Sequence, residues 1–351
     1  MSTPRQRLPE LSVMNILLCL FVIFIHTSGQ AVVDYAPGTW QHLLVRIPWQ
    51  LAGMAVYGFL FLSGLKLCLP SGKPFRLGRF YLGRVRSILV PYLLWTVVYF
   101  ISFAAVGSLE RTPARFFEAL CTGNATGHLY FIIIILQFYL LAPLWRWCVR
   151  KIHPGIALPI ATVLNYLFWA KLPALLPLIG LEGFAYNDRI FPTYLFFWLA
   201  GCYAGADYSR FREGLAAHFK LITGAFCIFA ALDVAVAYTN ALGVVHLPIQ
   251  IETKTLFLIA AILFVFALSQ KLAAKGWYEK PGVALLDRSS FFIYLSHILI
   301  MELIANKWIA GWGIQNPALA FGLRTLLTVG ITLPLCMGYT ALKSRIFKKQ
   351  G

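Results

Sequence analysis

Apolar residues run in long stretches along this chain, and polar residues collect in the short segments between them. A helix crossing a membrane needs about 20 mostly apolar residues. Ten stretches approach that pattern: 11–28, 44–65, 87–106, 128–147, 154–170, 190–206, 219–239, 254–270, 289–306 and 317–340. The fifth and sixth are short, and Pro173, Pro177 and Pro192 lie between or within them, so a broken or re-entrant helix is expected there. No internal repeat or low-complexity segment is evident. The expected fold is an all-α integral membrane protein of about ten transmembrane helices. It forms one polytopic domain over residues 1–351, with no cleavable signal and no fused soluble domain.

Composition points the same way. Of 351 residues, 60% are hydrophobic and 12% charged, about half the charged share of soluble domains. A soluble chain this apolar could not cover its surface with polar groups. The seven cysteines lie in or beside apolar runs without a Cys-x-x-Cys pair, which suits packing residues rather than a disulfide framework or zinc site.

The net charge of +17 would suggest nucleic acid in a soluble protein. Here its placement explains it. With ten spans and a cytoplasmic N-terminus, 22 of the 30 Lys and Arg fall on the inner side. They cluster at 5–7, 66–86, 146–151, 210–220, 271–288 and 343–349. That is the positive-inside pattern with both termini cytoplasmic, and it needs no nucleic-acid partner. The same topology puts His26 and His128 near the outer face, Asp233, Glu302 and Arg324 in outer halves of spans, and His297 near mid-span. Ionisable groups at such depths usually face a bundle interior or a watered cavity.

Two regions then carry candidate chemistry. On the inner side, Arg76, Arg79, Arg84 and Arg86 alternate with Phe75, Phe80 and Tyr81 ahead of an apolar span. Arginine forks suit phosphate, so a donor such as a nucleotide or coenzyme A fits; anionic lipid fits too. On the outer side, His26 ends the apolar run Ile16–Ile25. A neutral imidazole near pH 7 can serve as general base for a sugar hydroxyl, or it can simply bond a backbone carbonyl. His128 is either functional or a helix-start residue, and His297 either joins a site or bonds between helices. None of the three has a local partner at metal-ligand spacing, so no metal is expected. Ser63 and Gly64 read as small residues permitting close helix approach. Asp188 and Arg189 read as structural. Asp233 and Glu302 suit either a proton relay or a link within the bundle. No Walker-type loop is present, so the chain is not itself an ATP-driven pump.

Several stretches in order resemble the membrane acyltransferase family 3, integral-membrane O-acyltransferases that modify bacterial cell-surface glycans. They are the apolar span ending in His26, FLFLSGLKL (Phe59–Leu67), FYLGRVRSILVPYLLW (Phe80–Trp95), GHLYFIIIILQFYLLAPL (Gly127–Leu144) and SSFFIYLSHILI (Ser289–Ile300), with FFWLAGCYAG (Phe196–Gly205) a weaker sixth. The resemblance implies transfer of an acyl group, acetyl above all, from cytosolic acyl-CoA to a hydroxyl of a cell-surface or periplasmic glycan. It implies His26 as catalytic residue and Arg79, Arg84 and Arg86 as acyl-CoA contacts, with His128, His297 and Glu302 supporting or on the acceptor side. No tightly bound cofactor is expected, acyl-CoA being a co-substrate. Expected partners are a glycan or lipid-linked saccharide acceptor, membrane lipids and glycan-assembly proteins. The expected location is the bacterial cytoplasmic (inner) membrane. Two positions depart from the family pattern. Asn15 stands eleven residues before His26, where many members have arginine, and Ser87 stands three after Arg84, with Arg86 one position early. These departures bear on coenzyme contacts and fit a subgroup using another donor, such as succinyl-CoA. The rival expectation is a glycan or lipid exporter without acyl transfer, with Asp233, Glu302 and Arg324 lining its pathway.

Overall fold

The computed structural model describes residues 8–72, 74–180 and 186–348. Of the basic residues counted above, Arg5, Arg7, Lys73 and Lys349 lie outside these. The described residues form helices and no strand. In order these are α1 (Pro9–Asp34), α2 (Trp40–Ala52), α3 (Ala55–Cys68), α4 (Leu77–Arg84), α5 (Val90–Ala105), α6 (Pro113–Thr122), α7 (Tyr130–Leu140), α8 (Ala142–Lys151) and α9 (Pro154–Tyr166). They continue with α10 (Leu172–Leu175), α11 (Leu195–Ala206), α12 (Tyr208–Ala217), α13 (Phe219–Leu242), α14 (Gln250–Ala274), α15 (Pro281–Ile300), α16 (Asn306–Gly311) and α17 (Pro317–Lys348).

Seven helical stretches among them are long and apolar enough to cross a membrane: Pro9–Asp34, Trp40–Cys68, Leu77–Ala105, Phe219–Leu242, Gln250–Ala274, Pro281–Gly311 and Pro317–Ile346. The chain is a multi-span membrane protein. The fourth expected span is not straight. It is α7 and α8, bent by 57° about Leu141, and counts as an eighth crossing if taken as one span. Pro143 lies in the first turn of α8 and cannot donate to the carbonyl four residues back, which accounts for the break. The stretch at 154–170 is α9 running into a π-turn at Leu167–Lys171. That at 190–206 is a 3-10 turn leading into the twelve-residue α11. Between them the proline-rich segment breaks into single turns, as expected.

Contacts divide the chain into two compact units: residues 1–59 with 212–351, and residues 60–211. In the first unit α1 and α15 run parallel. Asn15 meets Asp287 and Ser290, Cys19 meets Ser290, and His26 meets His297. α17 runs antiparallel to α15, with Ser289 against Thr340, Ser296 against Cys336 and Asn306 against Arg324. Cys19, Ile23, Ile293 and Cys336 form the apolar core of this trio, so two of the cysteines are indeed packing residues. α13 and α14 form an antiparallel pair with Phe226 stacked on Phe264 at 4.5 Å. The fully buried Asp233 accepts from Gln50 of α2 at 2.8 Å and lies 3.7 Å from Lys254 of α14. A carboxylate inside an apolar bundle needs such partners, and this one links three helices.

In the second unit α3 and α11 approach backbone to backbone. A side-chain carbon at Gly201 would overlap the Phe61 carbonyl, one at Gly205 the Leu65 carbonyl, and one at Gly64 the Trp198 carbonyl. This close approach is what small residues at four-residue spacing permit between membrane helices. It also seats Trp198 flat on Phe138 of α7 at 4.5 Å. Replacing Gly201 by Val should therefore separate α3 from α11 and cost about 1–3 kcal/mol or more, as overpacking does. Unfolding of the purified protein in detergent measures it, and an unchanged midpoint would contradict the close contact.

Candidate active site

The first unit carries His26, His297 and Glu302. His26 lies two turns before the end of α1, on the same face as Cys19 and Ile23, so the apolar stripe that packs α1 on α15 ends in an imidazole. Its ring centroid is 5.2 Å from that of His297, with the planes tilted by 49°. His297 is fully buried, and its Nδ1 lies 2.8 Å from the Tyr294 carbonyl and 3.1 Å from that of Ile293. Carbonyl oxygens only accept, so Nδ1 carries a proton. In the neutral ring Nε2 is then the acceptor nitrogen. Backbone bonds of this kind set both the tautomer and the ring orientation.

Asn15 sets the register of the two helices. Its Nδ2 donates one hydrogen to Asp287 Oδ1 and the other to Ser290 Oγ, each at 2.9 Å. Ser290 in turn donates to the Asp287 carbonyl at 2.7 Å, which leaves its oxygen lone pairs for Asn15. Both amide hydrogens are used, and Asn15 is an interhelical clamp.

Glu302 is not on the histidine pair. It is exposed, on a π-turn at Met301–Ala305, and accepts from Asn306 Nδ2 at 2.9 Å. Asn306 Oδ1 then accepts from Arg324 Nε at 2.7 Å. The three form one relay, Glu302–Asn306–Arg324. Asn306 was not singled out from the sequence, although its place four residues after Glu302 puts it on the same helical face.

His128 and the arginines belong to the second unit. His128 sits in the turn before α7, buried, with its ring edge-on to Tyr99 of α5 at 5.5 Å. The loop before it is braced from several sides. Arg189 donates to the Thr122 carbonyl at 2.5 Å and lies over the Tyr186 ring. Glu118 pairs with Arg115 and accepts from Tyr186 at 2.9 Å. The Arg115 hydrogen bond, followed by that from Tyr186, holds the Glu118 carboxyl below the usual carboxylate range.

Of the basic segment, only Arg84 is half-buried; Arg79 and Arg86 are exposed. The Arg84 guanidinium lies over Tyr139 at 4.6 Å and over Phe80 at 5.1 Å, at the junction of α4 with a π-turn at Val85–Leu89. Arg146 of α8 lies over Phe75 at 4.4 Å and donates to the Leu67 carbonyl at 3.0 Å. Stacking on rings holds a guanidinium in place without using its hydrogen-bond donors. Tyr139, on a different helix, had no sequence signal linking it to Arg84.

Replacing Asn15 by Leu removes two hydrogen bonds between α1 and α15. It should cost about 1–3 kcal/mol, read as a lower unfolding midpoint in detergent; no change would contradict the clamp.

Comparison with known proteins agrees with the motif series. The family described as "Acyltransferase domain" matches residues 8–337. A Bacillus subtilis (strain 168) protein named "Putative membrane-bound acyltransferase YfiQ" is 24% identical over 322 residues, covering 84% of this chain and 81% of its own length. A Staphylococcus aureus (strain MSSA476) protein named "Probable poly-beta-1,6-N-acetyl-D-glucosamine export protein" is 22% identical over 316 residues, 84% of this chain and 82% of its own length. No solved structure matches. With that family matching nearly the whole chain, this protein belongs to the membrane acyltransferase family 3.

Proposed function

We propose that this protein is an O-acyltransferase of the bacterial inner membrane, with about ten spans and both termini cytoplasmic. It moves an acyl group, acetyl first among the candidates, from cytosolic acyl-CoA to a hydroxyl of a surface or periplasmic glycan. The observation that carries the reading is the packing of His26 against His297 in a chain of an acyltransferase family. In this mechanism His26 removes the acceptor hydroxyl proton as its oxygen attacks the thioester carbonyl. The carbon–sulfur bond breaks, and the departing thiolate takes the proton back from His26. His297, oriented by its backbone bonds, is the positioning residue for His26. Arg84 is the main contact for the coenzyme's phosphates, with the exposed Arg79 and Arg86 adding charge. His128 and Glu302 stay on the acceptor side in this reading.

The name of the Staphylococcus aureus relative keeps export of a saccharide as a second reading. Under it, purified protein in vesicles would move saccharide without acyl-CoA. Asp233 speaks against a mobile proton carrier, being already tied to Gln50 and Lys254.

In transfer of labelled acetyl to cell-wall glycan, His26→Ala should lower kcat by at least about a hundredfold, the usual worth of a general base. Wild-type turnover in that variant would remove His26 from the mechanism. Arg84→Ala should instead raise KM for acyl-CoA with kcat little changed, since it removes binding common to ground and transition states. An unchanged KM would remove Arg84 from the donor site.

A further inference from the structure

The most buried line of α17 is not apolar. Arg324, Thr328 and Thr332 recur every four residues, Arg324 at 8% exposure and both threonines at 0%. Arg324 Nη1 and both threonine hydroxyls are buried with no hydrogen-bond partner among the described residues. Two other helical threonines, Thr96 and Thr325, share this state; others do not. Thr162, Thr223, Thr255 and Thr340 each donate to the carbonyl four residues back, at 2.8 to 2.9 Å. Helical threonines ordinarily settle this way. A buried hydroxyl that bonds nothing costs free energy, and two in line with an unsatisfied guanidinium nitrogen mark polar groups that await a ligand.

The register places this line. α17 is antiparallel to α15, with Ser296 beside Cys336 and Asn306 beside Arg324. Thr332 is therefore level with Ile298, next to His297, and Thr328 is level with Glu302. At about 1.5 Å per residue the line covers about 12 Å of helix. It starts at the histidine pair and ends at the Glu302–Asn306–Arg324 relay. The far end is also the C-terminal end of α1, where the Asp34 carboxylate lies within electrostatic range of Arg324.

We propose that Arg324, Thr328 and Thr332 form the track on which the acceptor is bound, and that this acceptor is an uncharged saccharide. The proposal rests on the acyl-transfer reading above for the end from which the acceptor enters. Hydroxyls both donate and accept, as do the hydroxyls of a sugar, while Nη1 only donates. Asn306 holds the guanidinium by Nε, so Nη1 is presented in a fixed direction. Glu302 reaches the guanidinium through Asn306, so a carboxylate already stands beside Arg324 and opposes a uronate or a phosphorylated sugar.

The test is binding to the purified full-length protein without acyl-CoA, by saturation-transfer NMR. The probes are a panel of neutral disaccharides, including N,N′-diacetylchitobiose, and a disaccharide containing glucuronic acid. The wild type should bind a neutral probe and bind the uronate more weakly. The Thr328→Val/Thr332→Val protein keeps side-chain volume and should lose about tenfold in affinity, from two lost hydrogen bonds. Thr328→Ser/Thr332→Ser should restore it, which a purely structural role would not require. Unchanged binding in the valine variant, preference for the uronate, or failure of every neutral probe would overturn the proposal. A protein that binds on this track but transfers no acyl group would leave this inference standing and remove the acyl-transfer reading. Acyl transfer with an unchanged acceptor KM in the valine variant would do the reverse.

Discussion

Two hydrogen bonds from one amide group set the arrangement on which the candidate site depends. Asn15 joins α1 to α15 through Asp287 and Ser290, and the two helices run parallel from that point. Eleven residues on from Asn15 stands His26; ten residues on from Asp287 stands His297. Because both helices rise by the same amount per residue, a clamp at one end keeps the two imidazoles level at the other, with rings 5.2 Å apart. Apolar packing alone would not hold this register. The core between clamp and histidines is Cys19, Ile23, Ile293 and Cys336, and such surfaces slide at small cost. Polar contacts in an apolar medium are directional, so a few of them select one register from many.

The same economy recurs elsewhere. Asp233 ties α2, α13 and α14 through Gln50 and Lys254. Glu302, Asn306 and Arg324 tie the end of α15 to α17. In the second unit the work falls to glycine and rings: Gly64, Gly201 and Gly205 bring α3 and α11 together, while Tyr139 and Phe80 cradle Arg84. Each unit thus combines an apolar exterior with a sparse polar or aromatic interior. Thr328 and Thr332, whose hydroxyls have no partner among the described residues, lie where the proposed acceptor track runs.

The residue at position 15 shows how a departure from a family pattern becomes legible. Arginine there would add charge at the end of α1 opposite the histidine. Asparagine instead satisfies both its hydrogens within the protein. The position thereby carries no charge of its own.

The sequence by itself determined that the chain is helical and lives in a membrane, because continuous apolar runs are incompatible with a soluble surface. Its motif order also pointed to the family, and the small pair Ser63 and Gly64 already implied close helices. What it could not determine was pairing. His26 and His297 are 271 positions apart, Arg84 and Tyr139 are on different helices, and nothing local to either member announces the other. The bend at Leu141 was missed for a related reason: composition measures apolarity along a span, while direction depends on the hydrogen bond that Pro143 cannot make. The line of Arg324, Thr328 and Thr332 was visible as spacing, yet only the packed bundle decided that it faces inward, because every face of a membrane helix can be apolar and only neighbouring helices tell the inside from the lipid.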